Sequence, residues 1–565
     1  GATVSGITVN NYQVKNTDLT DGKYEFTGNE IAFERLRDGK YKVSEITPPD
    51  GFTAIGDFTF EVSGSVGIMP NGKVTSVTPA NEGEATLTED GRILVTDKTS
   101  KVVLNKKAVN ENSEDIELDS GNKATFYLKG SNLEGVKVGD HVITADEAAT
   151  GSYMFSGNNV TFEGLKNGSY TLVEYVAPNG FTTISNFDFT VADGKAVAGT
   201  ASTTGESRVD ENGNIIITDK ISTISLDKKT FGGEPLADDN KATFTLKSVT
   251  ADNLLGVKVG DVTIAADTEG YEDNSYTFTA NNATFVGLKN GDYVLTEVAS
   301  PDGYQKVTTN FEFTVYNGVI KNRNVVTDGN SKIEAESGSS KIVVTDDIST
   351  IQISKKAIDG SGSEITLDSE DASQVAEFTL TGTDLEGVKV NGEEITSDKL
   401  TDNSFTFKSN DTIFEGLKDG TYTLTEVTAP EGFERVTTTF QFVIKDGIIT
   451  DSSTLGTSGE TKTVIAADGT KKIVATDKIS TVNINKSAVD GSGAIVELDD
   501  SDVKQQAKFT IISKQDGKLV GVKIGNKILV AEDIVDNGYT FTGNNTTFEG
   551  LKDGDYILRE ETAPD

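Results

Sequence analysis

Residues 159–181 read NVTFEGLKNGSYTLVEYVAPNGF, and this phrase recurs along the chain. Its first half returns from Ile31 as IAFERLRDGKY, from Asn282 as NATFVGLKNGDY, from Thr412 as TIFEGLKDGTY and from Asn545 as NTTFEGLKDGDY. Each copy runs into a tyrosine-led segment and then a Pro-x-Gly turn, starting at Pro49, Pro178, Pro301 and Pro430, while the fifth copy reaches Pro564-Asp565. The glutamates Glu45, Glu174, Glu297, Glu426 and Glu560 mark the period, with spacings of 129, 123, 129 and 134 residues. A unit of that size can bury a core of its own. The repeats therefore read as domains in series, not as solenoid turns that need neighbours in order to fold.

Within a unit the pattern is that of half-buried strands, with apolar and polar residues alternating in Ile224-Ser225-Leu226-Asp227 and Tyr422-Thr423-Leu424-Thr425. Helical periodicity is scarce. Asn167-Gly168, Asn290-Gly291, Asp38-Gly39, Asp419-Gly420 and Asp553-Gly554 each stand just before a strand and predict tight hairpins. The expected fold is all-β, a tandem array of antiparallel, Ig-like β-sandwich domains forming an elongated rod. The boundaries are an incomplete domain at 1–100 lacking its first strand, complete domains at 101–222, 223–349 and 350–480, and an incomplete domain at 481–565 lacking its last strands. Residues 1–50 align without a gap to 516–565. The favoured reading is a window of a longer tandem array; the sharper one is a processed subunit whose incomplete ends pair with neighbouring chains.

The 565 residues carry 51 Lys and Arg against 89 Asp and Glu, a net charge of -38, which argues against nucleic acid as a partner. The absence of cysteine excludes disulfides, thiolate metal sites, thiol nucleophiles and thioesters. Rich Val, Ile and Thr, with 57 glycines and only 9 prolines, mark a folded β-protein. No apolar run is long enough to span a membrane, and Gly1 opens no signal peptide, so the chain reads as soluble and as processed or cut from something longer. Acidic runs such as Asp368, Glu370 and Asp371, or Asp499, Asp500 and Asp502, lack the ligand spacing of a calcium loop, and the single His141 has no clustered partner. With no P-loop, dinucleotide fingerprint or nucleophile elbow, the expectation is no cofactor, no metal and no turnover enzyme.

One feature of each unit conflicts with the strand pattern. The core-facing alternates of the first strand run Val102, Leu104, Lys106; Ile224, Leu226, Lys228; Ile351, Ile353, Lys355; and Val482, Ile484, Lys486. The tyrosine-led strand places Glu174 on the face of Tyr170 and Leu172, and likewise Glu45, Glu297, Glu426 and Glu560. The last strand gives Ile93, Val95, Asp97; Ile215, Ile217, Asp219; Ile342, Val344, Asp346; and Ile473, Ala475, Asp477. Burying three ionisable groups per unit costs several kcal/mol for each uncompensated ion, so something must offset it. A hydrogen-bonded Lys–Glu–Asp network that fixes strand register is one answer. The other is covalent: desolvation disfavours charge, so a neutral amine can attack a protonated aspartyl carboxyl while the glutamate shuttles protons, giving a Lys–Asp isopeptide bond. Periodicity leaves both open.

The first-strand lysine, the inward glutamate in YTLVEYVAPNGF (170–181) and YTLTEVTAPEGF (422–433), and the ITDK or VTDK of the last strand resemble the CnaB-type, prealbumin-like domains of Gram-positive surface adhesins and pilins. The resemblance covers all five units. It implies spontaneous isopeptide bonds joining Lys106 to Asp219, Lys228 to Asp346 and Lys355 to Asp477, with Glu174, Glu297 and Glu426 catalytic and Glu45 and Glu560 their counterparts in the incomplete units. Asp97 and Lys486 are then cross-link candidates without a partner in the chain. Many members of the family use asparagine where this chain has aspartate, so water is the implied leaving molecule. The implied role is a tension-resistant stalk or fibre of an extracellular, wall-attached adhesin, partnered by neighbouring repeats and holding a host-binding tip outside this chain. The alternatives are a pilus or filament subunit joined end to end, and a repeat that itself binds host protein or glycan.

Overall fold

A computed structural model describes residues 3–65, 72–199, 207–454, 461–465 and 471–565. Among them strands dominate, and the α-helix is the single turn Ala145–Ala148. Among the described residues no helix is long and apolar enough to cross a membrane.

The unit 223–349 shows the plan. One sheet orders Val262–Thr263, Lys258–Val259, Asn282–Val286, Thr223–Thr230, Lys341–Asp346, Ser331–Ala335 and Val326–Asp328. The facing sheet orders Tyr271–Glu272, Ser275–Thr279, Thr243–Ser248, Gly291–Ala299, Phe311–Tyr316 and Val319–Arg323. Alternation drives the layering: along Thr223–Thr230, Ile224, Leu226 and Lys228 are buried while the residues between them face outward. Phe244, Phe285, Leu295, Phe311 and Ile342 fill the space between the sheets. All pairings are antiparallel except one, because the first strand, Thr223–Thr230, and the last, Lys341–Asp346, lie side by side in parallel. The units on either side repeat this arrangement, with Leu104 opposite Ile215 and Ile353 opposite Ile473.

The hairpin expected at Asn290-Gly291 is not formed. The strand before it, Asn282–Val286, and the strand after it, Gly291–Ala299, belong to opposite sheets, so a two-residue turn has no pair of strands to join. The same holds at Asp38-Gly39, Asn167-Gly168, Asp419-Gly420 and Asp553-Gly554. The corner is held instead by fully buried Leu288 and by Tyr293, whose hydroxyl donates to the Lys289 carbonyl at 2.8 Å. Tyr41, Tyr170, Tyr422 and Tyr556 make the same bond four residues back, a tyrosine corner in every unit. Two-residue hairpin turns with both residues at positive φ form elsewhere, among them Asp193-Gly194, Asn317-Gly318 and Asp446-Gly447.

The units are more than beads. At each connector a serine joins two domains: the Ser222 amide donates to Gly180 O at 2.8 Å, its carbonyl accepts from Gly287 N at 2.8 Å, and its hydroxyl donates to Leu288 O at 3.2 Å. Ser100, Ser349 and Ser480 make the equivalent three bonds. The glycine of each Pro-x-Gly turn thereby packs on the Gly of the next unit's Phe-x-Gly-Leu segment; a Cβ on Gly303 would stand 3.0 Å from Gly416 O. A hairpin tip closes the joint from the far side. Asn317 Oδ1 accepts from Ala177 N at 3.1 Å and its Nδ2 donates to Tyr175 O at 3.1 Å, both in the preceding unit. In the flanking parts Val95, Val482 and Leu558, read as core-facing, are exposed. Among the described residues no parallel first-to-last strand pair forms there to cover them.

Candidate functional site

Lysine, glutamate and aspartate arrive from three strands and meet between the sheets. In the parallel pair Lys106 lies opposite Ile217 and Asp219 opposite Ala108. Side chains two residues apart share a face, so Lys106 and Asp219 are diagonal neighbours pointing into the core. Glu174 comes from the facing sheet, where it stands opposite Phe126. The glutamate strand bulges one residue later, since Phe126 pairs with Glu174 but Thr125 with Val176, leaving Tyr175 unpaired and half exposed. Val298 and Val427 are the corresponding bulged residues. The bulge ends the regular pairing just beyond the glutamate, which alternation from Tyr170 and Leu172 already turns inward.

Lys106 Nζ is 2.7 Å from Glu174 Oε1 and contacts Asp219 Oδ1, and all three side chains are fully buried. Lys228 Nζ is 2.6 Å from Glu297 Oε1 and contacts Asp346 Oδ1; Lys355 Nζ is 2.7 Å from Glu426 Oε1 and contacts Asp477 Oδ1. A phenylalanine floors each site, with Nζ 5.7 Å from the Phe126 ring centre, 5.8 Å from Phe244 and 5.7 Å from Phe378. The other glutamate oxygen is held by a backbone amide ten residues on: Ile184 N donates to Glu174 Oε2 at 3.0 Å, Val307 N to Glu297 at 3.1 Å and Val436 N to Glu426 at 2.8 Å. That bond fixes the carboxyl with Oε1 turned to the lysine.

The aspartates are the least satisfied members. Oδ2 of Asp219, Asp346 and Asp477 is buried without a hydrogen-bond partner. Burial, against the pull of the neighbouring lysine, pushes Asp219 and Asp346 up to about 8 and Asp477 up to about 7. These three carboxyls therefore hold a proton far above the usual aspartate range. An orphaned buried carboxyl oxygen is costly, and amide formation removes one oxygen as water.

The structure thus brings together the three complete sets, and it gathers two of three members in each flanking part. Glu45 Oε2 accepts from Ile55 N at 3.0 Å, and partial burial raises both Glu45 and Asp97. Lys486 Nζ lies 3.0 Å from Glu560 Oε2, both partly exposed. The phenylalanine floor and the backbone donors are functional elements the sequence reading did not name. The floor left a signal in the sequence, a phenylalanine two residues after an alanine, as in Ala124 and Phe126, whereas a main-chain donor leaves none. Elsewhere the acidic loops serve as turns, with Asp371 capping Ser373 N and Asp502 capping Lys504 N. His141 is exposed, hydrogen-bonded to Glu147 at 2.9 Å and stacked on Tyr153. Among the described residues no cluster of His, Asp or Glu could hold a metal ion.

A family model, the SpaA prealbumin-like fold domain, matches residues 114–205, 222–330 and 350–456, more than half of the chain. The chain belongs to this prealbumin-like family. Solved structures similar to this prealbumin-like array include a C-terminal fragment of the pilus adhesin SpaC from Lactobacillus rhamnosus GG. It is 16% identical over 46% of this chain and 98% of that one, with a TM-score of 0.25. BcpA, the major pilin subunit of Bacillus cereus, is 16% identical over 67% and 99%, with a TM-score of 0.21. The Bacillus anthracis TIE protein is 15% identical over 84% and 65%, with a TM-score of 0.26. No curated protein matches the chain.

Proposed function

We propose that the chain is a tension-resistant stalk of a Gram-positive cell-surface adhesin or pilus, each complete unit stapled by an autocatalytic Lys–Asp isopeptide bond. The observation that carries this reading is the buried Lys–Glu–Asp set, repeated three times with the amine against the aspartyl carboxyl. In each unit the neutral lysine Nζ attacks Cγ of the protonated aspartate, and the glutamate takes a proton from the attacking nitrogen. It returns that proton to the aspartyl hydroxyl. The C–O bond breaks, the C–N bond remains and one water leaves, so the glutamate ends as it began. Each unit reacts once with itself, which is not enzymatic turnover.

The mechanical consequence follows from the parallel pairing of first and last strands. Tension enters at the start of the lysine strand and leaves at the end of the aspartate strand beside it, so it loads the pair in shear. A covalent bond between the two diverts force from the rest of the domain. The surface setting rests on the motif resemblance and suits a chain without cysteine, whose staple is independent of redox state. Intact mass of the full chain tests the chemistry. The expected result is a deficit of three waters, reduced by one in each of Glu174→Ala, Glu297→Ala and Glu426→Ala; an unmodified wild-type mass overturns the proposal.

A further inference from the structure

Each reactive lysine is tied to one asparagine that the reaction itself does not use. Lys106 N donates to Asn158 O at 2.6 Å, Lys228 N to Asn281 O at 2.7 Å and Lys355 N to Asn410 O at 2.6 Å. The same asparagine holds the facing sheet through its side chain. Asn410 Oδ1 accepts from Ala376 N at 3.2 Å and its Nδ2 donates to Gln374 O at 3.0 Å. Asn158 accepts from Ala124 N at 3.2 Å and donates to Asn122 O at 3.0 Å. Asn281 and Asn410 are buried, at 6% and 5% exposure, which leaves water little access to these bonds.

The position of this residue is what matters. It sits where the chain passes from the strand Ser404–Lys408 of one sheet to Asp411–Glu415 of the other. Ala376 lies two residues before Phe378, and Phe378 both floors the lysine and stands opposite Glu426. One asparagine therefore bonds the backbone of the lysine strand and the backbone of the strand that carries the floor and pairs with the glutamate. The lysine and aspartate belong to one sheet and the glutamate to the other, so their approach depends on the sheet-to-sheet spacing at this level. We infer that Asn158, Asn281 and Asn410 are positioning residues for cross-linking, setting the inter-sheet distance that brings the amine, the aspartyl carboxyl and the glutamate into reaction geometry. This role presupposes the isopeptide bond proposed above. Misplacement of reacting groups by about 1 Å can cost about a hundredfold in rate, so a residue of this kind acts on rate before it acts on fold.

The test uses the full chain, in which the other two complete units are internal controls. Chains carrying Asn410→Ala or Asn410→Asp are made by cell-free synthesis and quenched in denaturant at intervals, and each of the three cross-linked peptides is quantified by mass. Hydrogen exchange of the Lys355 strand reports whether the unit has folded. With Asn410→Ala, water loss between Lys355 and Asp477 is expected to slow at least about tenfold while Lys106–Asp219 and Lys228–Asp346 keep the wild-type rate. Asn410→Asp keeps the acceptor oxygen for Ala376 N but loses the donor to Gln374 O, and is expected to cross-link more slowly than wild type and faster than the alanine variant. A folded Asn410→Ala unit that cross-links at the wild-type rate overturns the role, as does an Asn410→Asp unit as slow as the alanine variant. If the alanine unit does not fold, the aspartate variant decides alone, with cross-linking at the wild-type rate as the refuting result. Absence of water loss in every unit of the wild-type chain would instead overturn the cross-link itself, and the positioning role with it.

Discussion

If Lys106 and Asp219 are joined as proposed, removing Glu174 should turn a domain that cannot be pulled open into one that can, and the length it releases is set by residue positions. Lys106 and Asp219 are 113 residues apart in sequence. They sit on adjacent parallel strands, so in the fold their backbones are separated by little more than one strand spacing, about 5 Å. With the bond in place those residues cannot extend under force. In Glu174→Ala the bond is absent, and unfolding of the unit should lengthen the chain by about 370 Å at about 3.3 Å per residue. The assay is single-molecule force extension of the full chain, wild type beside variant, with the intact mass of each sample measured first. The lost loop closure also lowers stability by about 5 kcal/mol on the chain-entropy account. For a domain of this size that corresponds to a melting shift of roughly 20 °C. Length is the better discriminator, because truncating a buried glutamate destabilises the unit by other routes too, while a step of this size reports only whether Lys106 and Asp219 are joined. The reasoning is refuted if the wild-type chain already shows a step of this length for each complete unit, or if Glu174→Ala gains one water in mass yet shows no added step.

Four further outcomes can be checked on the same chain. Cross-linking needs a protonated aspartate, whose raised pKa means the reactive form is lost as pH rises; the rate should fall through about pH 7 for Asp477 and about pH 8 for Asp219 and Asp346, measured by peptide mass over time. By the same linkage, an unreacted unit draws stability from its aspartate proton fully below the ordinary aspartate value of 3.8 and loses it as pH rises through the raised value, which a denaturant series on a Lys228→Ala chain, whose unit 223–349 cannot cross-link, would read at Asp346. Gly303→Val places a Cβ against Gly416 O at a backbone position of φ +86, so it should loosen that joint and shorten the maximum dimension in small-angle scattering without changing the mass deficit. Tyr293→Phe removes the hydroxyl bond to Lys289 O and should cost about 1 kcal/mol in unit 223–349 alone, read by hydrogen exchange.

The buried Lys–Glu–Asp sets were legible in sequence because a charge on an apolar alternate is a visible violation, and four or five copies of it at one register exclude accident. Lys228, Glu297 and Asp346 could be assigned to inward faces by counting by twos, with no knowledge of which strands adjoin. The backbone donors were not legible, since Val307 N leaves no mark on the identity of Val307. Asn281 was hidden for a related reason. Asn-Asn before a strand reads as a turn, and only the pairing of Lys228 N with its carbonyl shows what it holds. The Asn-Gly expectation failed because the residues that tolerate a hairpin turn serve equally well in a sheet-to-sheet crossover. There the deciding partners were Leu288, which needed burial, and Tyr293, which bonds back across the corner.

The joints and the cross-links are consecutive parts of one path. From Asp219 the chain passes through the Phe181–Ile221 bridge to Ser222, and it enters the next unit at Lys228 nine residues later. If the isopeptide bonds exclude the domain interiors from extension, these connectors are the only part of each repeat left to yield. Ser222 then holds by hydrogen bonds what Lys228 and Asp346 hold covalently, so under rising force the serine joint should give first. Nine residues fully extended span about 30 Å. The folded connector already covers part of that distance. The expected behaviour is a small, recoverable extension per repeat that is bounded by the next bond. A wild-type chain that lengthens by much more than about 30 Å per repeat before rupture would show that tension reaches residues the cross-links are argued to shield.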